Sequence, residues 1–132
     1  MYDILIEDRN GARRFKTALP MGAEKGKPLV FREWKNGDEL EEAVFNTRVP
    51  KESCDILEPD VLLVPLLAFD ERKCRLGYGG GFYDRTISAL KAKKSVFSLG
   101  VAYEAQKVEE VPTEETTDVA LDAILTERTI YI

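Results

Sequence analysis

The sequence predicts an α/β fold: a three-layer, mostly parallel sheet with right-handed crossovers and a glycine-rich phosphate loop between a buried strand and a helix. Three observations carry this. Residues 61–69, Val-Leu-Leu-Val-Pro-Leu-Leu-Ala-Phe, are apolar and rich in branched side chains, as in a strand buried on both faces of a parallel sheet. Residues 75–85, Arg-Leu-Gly-Tyr-Gly-Gly-Gly-Phe-Tyr-Asp-Arg, are rich in glycine. From Phe82 onward, Tyr83, Ile87 and Leu90 recur at helical spacing while Asp84, Arg85, Ser88 and Lys91 fall on other faces. A chain of 132 residues fits one domain over its whole length.

The remaining elements follow in order. Residues 1–10 place Tyr2, Ile4, Leu5 and Ile6 ahead of Gly11, which fits either a short helix with a left-handed C-cap or a strand and turn. Residues 12–19 read as extended, closed by Pro20 and Gly22, and residues 24–27 as a charged loop. Residues 28–34 alternate well enough for a further strand. Asn36 and Gly37 mark a turn, with Asp38 placed to cap a short helical turn over residues 39–43. Residues 45–59 carry little periodicity and two prolines, so they read as one long loop, either functional or a plain connection. After the central strand, loop and helix, residues 95–101 form a second parallel strand. Residues 104–110 suit a short charged helix or turn, and 112–117 a polar surface loop. Residues 123–126 make a last internal strand, with 129–132 along an edge. In such sheets ligands collect at the carboxyl ends of the strands, where the glycine loop lies.

Composition narrows the chemistry. The net charge of −5 argues against nucleic-acid and membrane-surface partners, both of which require a basic face. No run reaches the length of a membrane span, and no basic-then-apolar leader opens the chain, so a cytoplasmic protein is expected. Cys54 and Cys74 lack Cys-x-x-Cys spacing and read as reduced thiols. With no histidine, Ser-His-Asp and Cys-His catalysis are excluded, which leaves carboxylates, cations, backbone groups or a metal.

Gly77, Gly79, Gly80 and Gly81 allow the loop backbone to approach a ligand without Cβ interference, so that several N–H groups can converge on a phosphate. The first turn of the following helix adds donors, and Arg75 and Arg85 add full charges. Asp84 among such groups fits a Mg2+ ion shared with phosphate oxygens. The alternatives are a plain glycine-rich turn, and an Asp84 that merely caps or complements the helix start.

The stretch Val-Pro-x-x-Ala-Phe-Asp followed by Arg-Leu-Gly-Tyr-Gly-x-Gly-Phe-Tyr-Asp-Arg resembles the signature of the 5-formyltetrahydrofolate cyclo-ligase (methenyltetrahydrofolate synthetase) family. The likeness continues through Gly100-Val-Ala-Tyr103, Val111-Pro112, Asp118-x-x-x-Asp122 and Ile124-Leu-Thr-Glu127, over roughly the last two thirds of the chain. The resemblance implies an ATP- and Mg2+-dependent conversion of 5-formyltetrahydrofolate into 5,10-methenyltetrahydrofolate, catalysed by this chain or by an enzyme of which it is the larger part. It also implies phosphorylation of the formyl oxygen, which makes that oxygen a leaving group for attack by a ring nitrogen.

By the same resemblance Arg75 and the backbone of Leu76, Gly77, Tyr78, Gly79, Gly80, Gly81, Phe82 and Tyr83 hold ATP phosphates. Arg75 and Asp84 act in catalysis, and Asp84 and Asp118 ligate Mg2+. Phe45, Tyr78 and Phe82 line the reduced folate, while Tyr83 either walls it or belongs to the core. Gly80 stands where many members carry lysine, and Phe45 is followed by Asn46-Thr47-Arg48-Val49-Pro50 in place of the family's Gly-Ile-x-x-Pro. Members also begin with a further N-terminal region, which self-association would supply here. The second expectation is therefore a non-catalytic nucleotide- or folate-binding module of the same descent.

Overall fold

The computed structural model describes residues 15–21, 25–35, 37–42, 48–51, 53–79, 81–112 and 119–132. The expected element at residues 1–10 lies outside them. The chain divides into two compact units, one made of Met1–Ala23 and Leu29–Glu58, the other of Glu24–Pro28 and Pro59–Ile132.

In the first unit β1 (Ala18–Met21), β2 (Val30–Glu33) and β5 (Ile56–Leu57) form an antiparallel sheet in the order β1-β2-β5. Pro20 is tolerated within β1 because that strand is at the edge. A second pair, β3 (Leu40–Glu42) with β4 (Arg48–Pro50), is antiparallel with Leu40 opposite Pro50. This corrects two expectations. Residues 40–42 are a strand rather than a helical turn, because the Asp38 carboxylate accepts from the Lys35 N–H at 3.0 Å and closes the preceding turn instead of capping a helix. Residues 45–59 are not one loop, since β4 and β5 lie within them.

The second unit carries the central sheet. β6 (Val61–Val64), β9 (Phe97–Val101) and β10 (Ala123–Leu125) are parallel, and β11 (Ile130–Tyr131) joins antiparallel at the edge, in the order β11-β10-β9-β6. The sheet is thus mixed and mostly parallel. Between β6 and β9 the chain makes a small hairpin, β7 (Ala68–Phe69) with β8 (Arg75–Leu76), then the glycine loop, then helix α1 (Phe82–Lys93). The expected single strand over residues 61–69 is therefore split, since Pro65 has no N–H to continue the ladder. A 3-10 turn at Glu104–Gln106 follows β9.

Helix α1 buries Thr86, Ile87 and Leu90, with Asp84 in its first turn and Lys91 and Lys93 in its last, each charge opposing the nearby end of the helix dipole. It is tied to the sheet through Asp122, whose carboxylate accepts from Lys91 Nζ at 2.9 Å and from the Ser98 N–H and Oγ at 2.8 and 3.0 Å. Leu62, Val64, Ser98 and Ile124 are buried, and a Cβ on Gly100 would lie 2.7 Å from Leu121 Cδ1, so this face is closely packed. On the opposite face Val61, Leu63, Phe97, Val101 and Leu125 remain 43 to 61% exposed. The expectation of a strand buried on both faces fails for β6, whose residues alternate between exposed and buried.

The hairpin turn contains Lys73 at φ 64°, in the left-handed region that glycine enters without a Cβ penalty. Lys73→Gly is expected to stabilise the chain by about 0.5 to 1 kcal/mol, visible as a higher urea midpoint with unchanged slope.

Candidate functional site

The glycine loop joins β8 to α1, and its geometry explains its composition. Gly79 and Gly81 have φ of 97° and 67°, where a side chain is strained, and Gly81 is the N-cap of α1 with no side-chain cap. Gly77 is required for a different reason. A Cβ there would stand 2.5 Å from Nη1 of Arg75, so the absent side chain is the space the guanidinium occupies. Gly81 similarly leaves room for Arg85, whose Nη1 would be 2.7 Å from a Cβ. Gly80 lies outside the described residues.

Arg75 is the centre of the arrangement. Its side chain is only 5% exposed, with Nη1 donating to the Pro65 carbonyl at 3.3 Å and its carbon 5.5 Å from the centre of the Tyr83 ring. Nη2 is 3.8 Å from Oδ2 of Asp84, and Nε is buried with no hydrogen-bond partner among the described residues. A buried donor left unmade is costly, and an anionic ligand would satisfy it. Burial pushes the Tyr83 phenol up from its ordinary value, against the smaller pull of the Arg75 charge. Arg85 sits over the Phe82 ring at 5.0 Å.

Asp84 does not cap the helix. Its Oδ1 accepts the Val119 N–H at 3.2 Å, which fastens the start of α1 to the residue following Asp118. Asp118 and Phe45 both lie outside the described residues. Asp84 is thus one carboxylate beside a cation, and the described residues hold no cluster of three or more ligating groups. That donor set suits Mg2+, which takes one or two carboxylates and fills its shell with phosphate and water. Tyr78 is 70% exposed on the loop, an available ring rather than a core one.

A further residue fastens the turn between β7 and β8 without having been assigned a role from the sequence. Asp70, which ends the Val-Pro-x-x-Ala-Phe-Asp stretch, is fully buried, and its carboxylate accepts from Arg72, Cys74 and Val111. Burial raises its pKa, but the Val111 N–H, the Arg72 guanidinium and the Cys74 N–H together hold it below the ordinary carboxylate value. The sign of this role in the sequence is an acid directly after an apolar strand, with an arginine two positions later.

The model of the 5-formyltetrahydrofolate cyclo-ligase family matches residues 12–127. The chain belongs to that family. Among cyclo-ligase relatives, the 5-formyltetrahydrofolate cyclo-ligase of Haemophilus influenzae is 52% identical over 68 residues, covering 52% of this chain and 35% of the relative. That of Mycolicibacterium smegmatis is 38% identical over 103 residues, covering 75% of this chain and 51% of the relative. The fold agrees with the solved 5,10-methenyltetrahydrofolate synthetase of Aquifex aeolicus, with a TM-score of 0.66, 28% identity, 87% of this chain covered and 57% of that one. The chain thus spans between about a third and somewhat over half the length of these relatives. Among its described residues no helix is long and apolar enough to cross a membrane.

Proposed function

We propose that the chain is the phosphate-binding part of an ATP- and Mg2+-dependent 5-formyltetrahydrofolate cyclo-ligase, within a three-layer fold whose crossovers are right-handed. The observation that supports this reading most directly is the buried Arg75 guanidinium with its unmet Nε beside an open glycine loop. Arg75, the backbone N–H groups of the loop and the first turn of α1 together offer a cradle for phosphate oxygens. Asp84, with Asp118, would hold Mg2+, which when bound neutralises charge on the phosphates. Phosphoryl transfer depends chiefly on positioning and charge, so a chain without histidine is chemically adequate. Tyr78, Phe82 and Phe45 would border the reduced folate, and a second copy of the chain would supply groups that one copy lacks.

A non-catalytic nucleotide- or folate-binding module is the second reading, favoured by Gly80, which stands where many members carry lysine. Calorimetry of this chain with ATP tests the first step. Binding is expected to be tighter with Mg2+ than with chelator, and Asp84→Asn is expected to remove about tenfold of that difference while leaving chelator affinity unchanged. Equal affinity in Mg2+ and chelator for the unsubstituted chain would remove the metal from the reading. Formation of the methenyl product, followed by its near-ultraviolet absorbance, separates the enzyme from the module.

A further inference from the structure

The hairpin that presents Arg75 is pinned by very little ladder. Its two arms pair as Ala68 with Leu76 and Phe69 with Arg75, with one further backbone bond at each end, from the Leu67 N–H to the Leu76 carbonyl at 2.8 Å and from the Asp70 N–H to the Cys74 carbonyl at 3.2 Å. A slip of one residue in such a pairing sends the side chains to the opposite face, and for Arg75 that means away from Tyr83 and Asp84.

The turn between the arms supplies what the ladder lacks. Oδ1 of Asp70 accepts the Arg72 N–H at 2.9 Å and the Cys74 N–H at 3.2 Å, the second of these on the residue before Arg75. Oδ2 accepts from Arg72 Nε at 3.2 Å, from Arg72 Nη2 at 2.7 Å and from the Val111 N–H at 2.9 Å, the last across 41 positions of sequence. Arg72 Nη2 also donates to the Val111 carbonyl at 3.0 Å, and the Leu121 N–H donates to the Lys73 carbonyl at 2.9 Å. One buried carboxylate therefore closes the turn internally and fastens it to a distant part of the same unit.

We infer that Asp70 is a positioning residue for Arg75: by setting the turn it holds the register that aims the guanidinium at the glycine loop. This rests on the phosphate-binding reading of Arg75, and it goes beyond that reading in placing control of the site at a residue that touches no ligand.

A double-substitution cycle read by calorimetry with ATP and Mg2+ tests it, at a temperature where circular dichroism shows every variant folded. Asp70→Asn is expected to weaken ATP binding by about tenfold in the unsubstituted chain, but by no more than about twofold when Arg75 is already methionine. Asp122→Asn supplies the control. It disturbs another carboxylate fastened by several donors, to Ser98 and Lys91, and is expected to leave ATP affinity within about twofold. Equal losses from Asp70→Asn in both backgrounds, or none in either, would overturn the positioning role. If Arg75→Met itself leaves affinity unchanged, the phosphate reading falls and this inference with it, whereas a large Arg75 effect without an Asp70 effect rejects the inference alone. Should Asp70→Asn fail to fold, Arg72→Ala serves instead. It strips two donors from the same carboxylate at a half-exposed position, and about a threefold loss confined to the Arg75 background is expected.

Discussion

Replacing Arg75 with methionine is expected to weaken binding of ATP with Mg2+ by about 100-fold, close to 3 kcal/mol. Charge-assisted hydrogen bonds to phosphate contribute about 1.5 to 3 kcal/mol each, and a guanidinium can make two. The position argues for the upper part of that range. Arg75 is shielded from water, its Nε has no partner among the described residues, and its guanidinium fills the space left by the missing side chain of Gly77. Methionine preserves most of the packing on Tyr83 and removes the charge. Because a buried guanidinium is desolvated without an ideal partner, the variant is expected to be at least as stable as the unsubstituted chain, so a loss of affinity will not be a loss of folding. Calorimetry decides the first point and a urea melt the second. Undiminished affinity would take the guanidinium out of the site.

Asp70→Asn is expected to lower stability near pH 7 by about 3 kcal/mol, the scale for breaking a buried, several-fold hydrogen-bonded carboxylate. The loss is expected to shrink as pH falls. Asp70 has a folded-state pKa below its ordinary value, so its contribution is fully present above the unfolded value of 3.8 and disappears as pH drops through the folded one. Asp122 behaves alike, because the Ser98 N–H, Lys91 and the Ser98 hydroxyl outweigh the burial that would raise it. The unsubstituted chain is therefore expected to lose stability steeply below about pH 4, and the Asn variant to lose less over the same interval. Urea midpoints measured across that range test this, and parallel curves would contradict the assignment.

The parts of the fold legible from sequence are those whose cause is local and repeated. Ile87 and Leu90 mark the helix face that is buried, and the apolar runs around residues 97–101 and 123–125 become β9 and β10 in the order expected. β3 and β4 were not legible, because three-residue strands owe their existence to one another rather than to any period of their own. Asp38 shows the same limit. A cap and a turn ask for the same residue, and its contact with Lys35 chose the turn. At the site the glycines were evident, but the reason for Gly77 was not, since it is the place taken by an arginine side chain in space. Asp70 escaped for a similar cause: its donors include Val111, far along the chain.

The uncovered side of the central sheet shapes how any acid titration of this chain will behave. Val61, Leu63, Phe97, Val101 and Leu125 are about half exposed apolar side chains on that side, and mutual repulsion between anionic molecules opposes their association in solution. That repulsion vanishes near the isoelectric point of about 4.9, above the pH at which Asp70 and Asp122 gain their protons. Acidification will thus meet two events in sequence. The first is turbidity that depends on protein concentration, and the second is a concentration-independent unfolding further down the scale.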